Sequence, residues 1–236
     1  MNTINPKDRL IFALDVPGKK EAERYAKMLE GVVGCFKIGL ELFISEGPDV
    51  VKMIQDQSGA DIFLDLKLHD IPATVRGALR SAEKLGVRYI TIHSTEGEEI
   101  LETSQEVKGS GLEVLAVTVL TSTSASSLAS LGIREEIDAA ALVLDRATRA
   151  QNSGCSGVVC SGEESKPVKL KCGKDFKIVV PGIRPEWACV SGDDQNRIAT
   201  PSQAIEDGAD MIVVGRPIRN ASDPREAAQK IIEEIC

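Results

Sequence analysis

The sequence predicts an α/β fold: a closed (β/α)8 TIM barrel, formed by residues 1–236 as a single domain. Three observations predict it. Eight short apolar runs alternate with eight helical segments, with no linker between them, and strict βα alternation implies a parallel sheet with right-handed crossovers. Eight such units in 236 residues suit a closed barrel better than an open doubly wound sheet. No GxGxxG follows the first apolar run, so the main dinucleotide-binding signature is missing.

Residues 9–16 form an apolar run ending at Asp15, and Pro17-Gly18 turns the chain. Residues 19–30 place Ala22, Tyr25, Ala26 and Leu29 at helical spacing. Residues 32–39 read as the second strand, with Lys37 near its end, and a helix to about residue 57 is interrupted near Gly47-Pro48. The third strand carries Ile62-Phe63-Leu64 into Asp65-Leu66-Lys67-Leu68-His69-Asp70-Ile71-Pro72, and its helix covers residues 73–85. Residues 87–93 are the fourth strand and 96–107 its helix. Residues 112–120 are the fifth, leading into a polar segment, 121–127, that reads as too serine-rich for a packed element.

A helix over about 136–152 precedes a sixth strand at 157–160, and a weaker helix at 163–170 precedes a seventh strand at 177–180. Pro181-Gly182 then opens a long connection to Thr200. Thr200 is the expected N-cap of a short helix over 201–207, with Pro201 in its first turn. Residues 211–214 are the eighth strand and 224–235 the closing helix.

A net charge of −8 and a pI near 5.0 argue against general binding to nucleic acid or anionic membranes, which would repel the chain. An anionic substrate would need a local basic pocket. The six cysteines (35, 155, 160, 172, 189 and 236) contain no CxxC pair. With no signal peptide and no apolar run near the ~18 residues of a membrane span, the expectation is a cytoplasmic protein with reduced, mostly buried thiols.

Barrel enzymes build their sites at the C-terminal ends of the strands. Asp15, Lys37, Asp65, Lys67, Arg184 and Arg216 all fall at or just after strand ends, and four of the six are cationic in an acidic chain. Asp65 and Lys67 are two apart, so on a strand they share a face. A structural ion pair capping the strand is the simpler account of those two alone. The full set instead suggests alternating charges, Lys37 and Lys67 with Asp65 and Asp70. Flanking carboxylates favour the ammonium form, which suits a proton donor or anion holder and not a Schiff-base lysine.

Gly215-Arg216 after the eighth strand fits a phosphate site of the kind this fold builds from its last two loops. Gln195 and Arg184, on the long connection, are expected to touch substrate beneath a lid. His69 and His93 have no partner at metal-ligand spacing and read as supporting residues.

With these residues assembled, the chain resembles the orotidine 5′-phosphate decarboxylase family of the stand-alone bacterial type. The likeness covers nearly the whole length. It rests on Ala13-Leu14-Asp15, Phe36-Lys37-Ile38-Gly39, the stretch from Asp65 to Pro72, Leu120-Thr121-Ser122, Pro181-Gly182-Ile183-Arg184, residues 192–197 and Val214-Gly215-Arg216-Pro217-Ile218. The resemblance implies a catalytic tetrad of Lys37, Asp65, Lys67 and Asp70, with Asp70 reaching in from the second subunit of a homodimer. It implies that Lys67 protonates C6 of orotidine 5′-monophosphate as carbon dioxide leaves, with Asp65 against the substrate carboxylate.

It further implies Asp15 and Lys37 on the ribose, Ile71 and Thr74 in the partner's site, and Arg216, Gly215 and Gln195 on the phosphate. Thr121 and Arg184 complete the ligand shell, and neither metal nor cofactor takes part. Departures from the family pattern are Ala73 in place of the more frequent asparagine, Val119 in place of glutamine, and a bulkier His93-Ser94-Thr95-Glu96-Gly97. Two other readings compete. One is a sugar-phosphate decarboxylase or lyase on the same barrel, its carboxylates holding Mg²⁺. The other is a nucleotide-binding barrel without catalysis.

Overall fold

The computed structural model describes residues 5–123, 125–130, 132–133, 138–188 and 197–236. Eight parallel strands close on themselves: β1 (Leu10–Ala13), β2 (Cys35–Gly39), β3 (Asp61–Leu68), β4 (Tyr89–His93), β5 (Glu113–Val117), β6 (Gly157–Val159), β7 (Lys177–Val180) and β8 (Met211–Val214). Each pairs with its neighbours in chain order, and β8 returns to β1 through Ile11 opposite Val213. The connecting helices are α1 (Lys19–Met28), α2 (Leu40–Glu46), α3 (Asp49–Ser58), α4 (Pro72–Lys84), α5 (Glu98–Leu101), α6 (Ala125–Ser130), α7 (Ala139–Asn152), α8 (Gly162–Cys172), α9 (Pro201–Glu206), α10 (Arg216–Arg219) and α11 (Pro224–Glu234). No helix among the described residues is long and apolar enough to cross a membrane.

Alternation along the strands separates two apolar layers. Ile11, Cys35, Phe63, Tyr89, Leu115, Val179 and Met211 pack together inside the barrel. Their chain neighbours, such as Leu10, Phe36, Ile62, Ile90 and Ile178, join the larger layer between sheet and helices. Side chains two apart on a strand share a face, so the inward column that holds Cys35 continues to Lys37, that of Phe63 to Asp65, and that of Tyr89 to Thr91. The barrel is greasy at its base and charged at its top for this reason.

Strands seven and eight have the bounds expected from sequence, and the Thr200 hydroxyl accepts from the Gln203 N–H as the N-cap of α9. The expected break near Gly47-Pro48 separates α2 from α3. Two expectations need correction. The helix after β4 is not continuous: α5 gives way to a 3-10 segment over Glu102–Val107. The serine-rich stretch 121–127 is not wholly without a helix either, since α6 begins within it at Ala125. Leu128 is buried there and anchors a segment whose serines alone would not pack.

Cys35, Cys155, Cys160 and Cys172 are buried free thiols and Cys236 is exposed, while Cys189 lies outside the described residues. Burial pushes Cys155 and Cys160 up to about 12, which keeps both as unreactive thiols.

Candidate active site

A cavity of about 530 Å³ opens at the C-terminal end of the barrel. Its floor is Ala13, Phe63, Val117, Val159 and Val213, and its charged wall is Asp15, Lys37, Asp65 and Lys67. Thr121, Ser122, Arg184, Gly215, Arg216 and Arg219 also line the cavity, with Gly215 and Arg219 beside Asp15. An apolar floor with few convergent polar groups is the usual form of a small-molecule site.

The charges alternate along one chain of contacts. Lys37 Nζ lies 3.1 Å from Asp15 Oδ1 and 3.5 Å from Asp65 Oδ2, and Lys67 Nζ lies 2.8 Å from the same Asp65 oxygen. Lys37 and Asp65 are mostly buried, while Asp15 is half exposed. Burial alone would raise the Asp65 carboxyl. The Lys37 and Lys67 ammonium groups, with hydrogen bonds from Lys67 and Thr91, outweigh it and hold the carboxyl below the ordinary carboxylate range. Burial likewise opposes the Lys37 ammonium, but Asp65 and Asp15 keep it above the ordinary lysine value. All the same, truncating one member would strand a desolvated charge. Gly39 makes room for this network, because a Cβ there would stand 3.3 Å from both Asp15 Oδ1 and Lys37 Nζ.

Lys67 reaches Asp65 by a route that plain alternation does not describe. Pairing of β3 with β4 slips between Leu64 and Leu68, and Lys67 has φ of +50°, the only positive value at a non-glycine among the described residues. Such backbone is uncommon for a side-chain-bearing residue and concentrates at functional sites.

Asp70 does not join the network within one chain. It is exposed, and its Oδ1 accepts from the Ile71 N–H at 2.6 Å at the start of α4. Ile71 and Thr74 are exposed beside it, and none of the three lines this chain's own cavity. Within one chain the alternating charges are Asp15, Lys37, Asp65 and Lys67: Asp15 extends the row beyond Lys37, and this chain's own Asp70 does not extend it beyond Lys67. Gln195 lies outside the described residues, as do positions 192–196 of the motif around it.

The two ends of the long connection after β7 are tied together. Arg184 N–H donates to the Ala199 carbonyl at 2.8 Å, and Ile183 bridges Ala199. Arg197 then pairs with the buried Glu164 and donates to the Leu120 carbonyl at 3.1 Å, so this connection holds the loop after β5. His69 Nε2 stands 2.9 Å from Glu96 Oε1, and the His69 and His93 rings lie 5.4 Å apart. Burial first, then His69 and Lys67, push His93 below the ordinary histidine value, so it is a neutral supporting ring.

Sequence reasoning missed two residues. Arg219 lines the cavity and its guanidinium donates to the Asp15 carbonyl, with Tyr25 Oη donating to the Arg219 carbonyl at 3.1 Å. Its position one turn beyond Arg216 was the available signal. Thr91 is fully buried and contacts both Asp65 and Lys67. Its inward parity with Tyr89 was the available signal.

Residues 8–231 match the family model described as Orotidine 5′-phosphate decarboxylase / HUMPS family. An orotidine 5′-phosphate decarboxylase of Desulfosudis oleivorans is 46% identical over 98% of this chain and 94% of its own length. One of Trichlorobacter lovleyi is 44% identical over 97% of this chain and 95% of its own. The crystal structure of orotidine 5′-phosphate decarboxylase from Lactobacillus acidophilus superposes with a TM-score of 0.83 at 36% identity, covering 97% of this chain and 99% of that one. By the extent of the family match and by these identities, the chain belongs to the Orotidine 5′-phosphate decarboxylase / HUMPS family.

Proposed function

We propose that the protein decarboxylates orotidine 5′-monophosphate to uridine 5′-monophosphate in pyrimidine biosynthesis, in the cytosol, as one barrel domain over residues 1–236. The observation that carries this reading is Asp65, mostly buried in the cavity and held between Lys37 and Lys67. Breaking the bond from C6 to the carboxylate leaves an electron pair on C6 with no attached electron sink. A fixed cation beside that carbon is the available stabiliser. Lys67 supplies it and then delivers a proton to C6 as carbon dioxide departs. Asp65 faces the substrate carboxylate, holds Lys67 at 2.8 Å and favours the Lys37 ammonium. No metal or cofactor is required in this scheme.

Asp15 and Lys37 hold the ribose hydroxyls. Arg216, Gly215 and Gln195 take the phosphate, with Thr121 and Arg184 completing the shell. Gripping the remote phosphate supplies binding energy for closing the site and excluding water. The chain acts as a homodimer in which Asp70, Ile71 and Thr74 complete the neighbour's site. Exposed Leu40, Ile44 and Ile71 support such a face.

The test is product identification. Incubation with orotidine 5′-monophosphate is expected to yield uridine 5′-monophosphate and carbon dioxide in equal amounts. A sugar-phosphate lyase would leave the nucleotide intact, and a binding barrel would hold uridine 5′-monophosphate without turnover. Arg216→Ala is expected to raise KM by about 10- to 100-fold, the range for losing a charge-assisted hydrogen bond. Orotidine lacking the phosphate should show no such difference between Arg216→Ala and wild type. An equal loss with both substrates would remove Arg216 from the phosphate site.

A further inference from the structure

We propose that Thr91 is a positioning residue for the Asp65–Lys67 pair, its hydroxyl fixing the carboxylate of one and the backbone of the other. The inference rests on the reading that Asp65 and Lys67 perform the chemistry. Leu64 pairs with Ile90 and Leu68 with Ile92, so β3 spends four residue steps where β4 spends two. Asp65, Leu66 and Lys67 therefore bulge from the β3–β4 ladder opposite Thr91, and the backbone there loses its regular partners on β4, while Asp65 stays paired with Gly39 of β2. The Lys67 N–H donates instead to Thr91 Oγ1 at 2.9 Å. Thr91 Oγ1 in turn lies 3.0 Å from Asp65 Oδ1.

The direction of the second bond is forced. An amide N–H can only donate, so the hydroxyl uses a lone pair for Lys67 and has its single hydrogen left for Asp65. One carboxylate oxygen is thereby held by a neutral donor, and the other, Oδ2, is presented to Lys67 and Lys37. The Thr91 side chain doing this is fully buried, whereas Asp65 and Lys67 border the cavity. The β3–β4 register has no paired residue between Leu64 and Leu68, and the Lys67 amide takes the Thr91 hydroxyl as its acceptor there. Thr91 is thus the point at which the strained Lys67 backbone and the carboxylate that orients its ammonium are tied to the rigid wall of β4.

Thr91→Val retains the branched shape and strand preference of threonine but loses the acceptor and the donor. Small misplacement of a reacting group costs about 100-fold in rate, so kcat is expected to fall by about that factor. KM for orotidine 5′-monophosphate should stay within about threefold, because phosphate and ribose contacts are untouched. Thr91→Ser restores the hydroxyl and is expected to recover most of kcat. Should the valine variant fold poorly, Thr91→Ala provides the same loss of hydroxyl without added bulk, and titration with uridine 5′-monophosphate counts folded sites in each. A folded valine or alanine variant with kcat within twofold of wild type overturns the proposal, as does a serine variant no faster than valine. Wild-type protein without turnover would instead overturn the decarboxylase reading, and this inference with it.

Discussion

Lys67→Ala is expected to lower kcat on orotidine 5′-monophosphate by on the order of 10⁴-fold, since it removes both the cation beside C6 and the proton donor. The ammonium is held at 2.8 Å from Asp65 and borders the cavity. No other described cation lies as near that carboxylate, Lys37 being 3.5 Å away and already shared with Asp15. Lysine and alanine both carry a Cβ, so the cost of φ at +50° is common to the two and the substitution tests chemistry in preference to backbone strain. Binding of uridine 5′-monophosphate should survive, because its phosphate and ribose contacts lie elsewhere. A folded variant within tenfold of wild type would show that Lys67 is not the proton donor.

Mixing Asp70→Ala with Lys67→Ala protein is expected to restore activity that neither has alone. Each hybrid dimer carries one site with both lesions and one with neither. Random exchange makes half the dimers hybrid, so roughly a quarter of all sites become intact. The structural basis is that Asp70 is exposed at the start of α4, with its carboxylate turned to the Ile71 amide and away from its own chain's cavity. A carboxylate so placed contributes to catalysis only if a second copy brings it to the lysines. The recovered activity is measured after verified subunit exchange, and none under those conditions would refute the shared site.

The barrel and most of the charged wall were legible because each rests on a strong local signal. Lys37 lies on a strand that otherwise buries every residue and Asp65 directly follows the buried run Ile62-Phe63-Leu64, and the cost of burying charge marks both. Their inward direction follows from period two, anchored by Cys35 and Phe63. Lys67 was found for a reason that is only half right. Strict alternation places it on the face of Asp65, yet the strand bulges there and Thr91 helps hold it. Parity with Tyr89 points Thr91 inward, but nothing else in the triplet Ile90-Thr91-Ile92 distinguishes that hydroxyl from an ordinary strand threonine.

Asp70 illustrates a different limit. Its residue type and spacing marked it as chemical, but within one chain its carboxylate accepts from the Ile71 amide and does not line the cavity, a placement that intrachain pattern does not encode. The helix at Ala125–Ser130 was obscured by composition, since serines favour competing local hydrogen bonds, and Leu128 supplies a buried contact that their count conceals. Arg197 ties the connection after β7 to Glu164 of α8 and to the Leu120 carbonyl, partners far apart in sequence that no local period reports.

The central claim is that fixed lysine and aspartate charges suffice for the decarboxylation. Its most direct test is the loss of ultraviolet absorbance from orotidine 5′-monophosphate, followed for wild-type protein with and without excess EDTA. Equal rates under the two conditions are predicted, because every group assigned to the reaction belongs to the chain. Activity that vanishes with the chelator and returns with added Mg²⁺ would contradict the account and favour the metal-dependent sugar-phosphate chemistry of the same barrel.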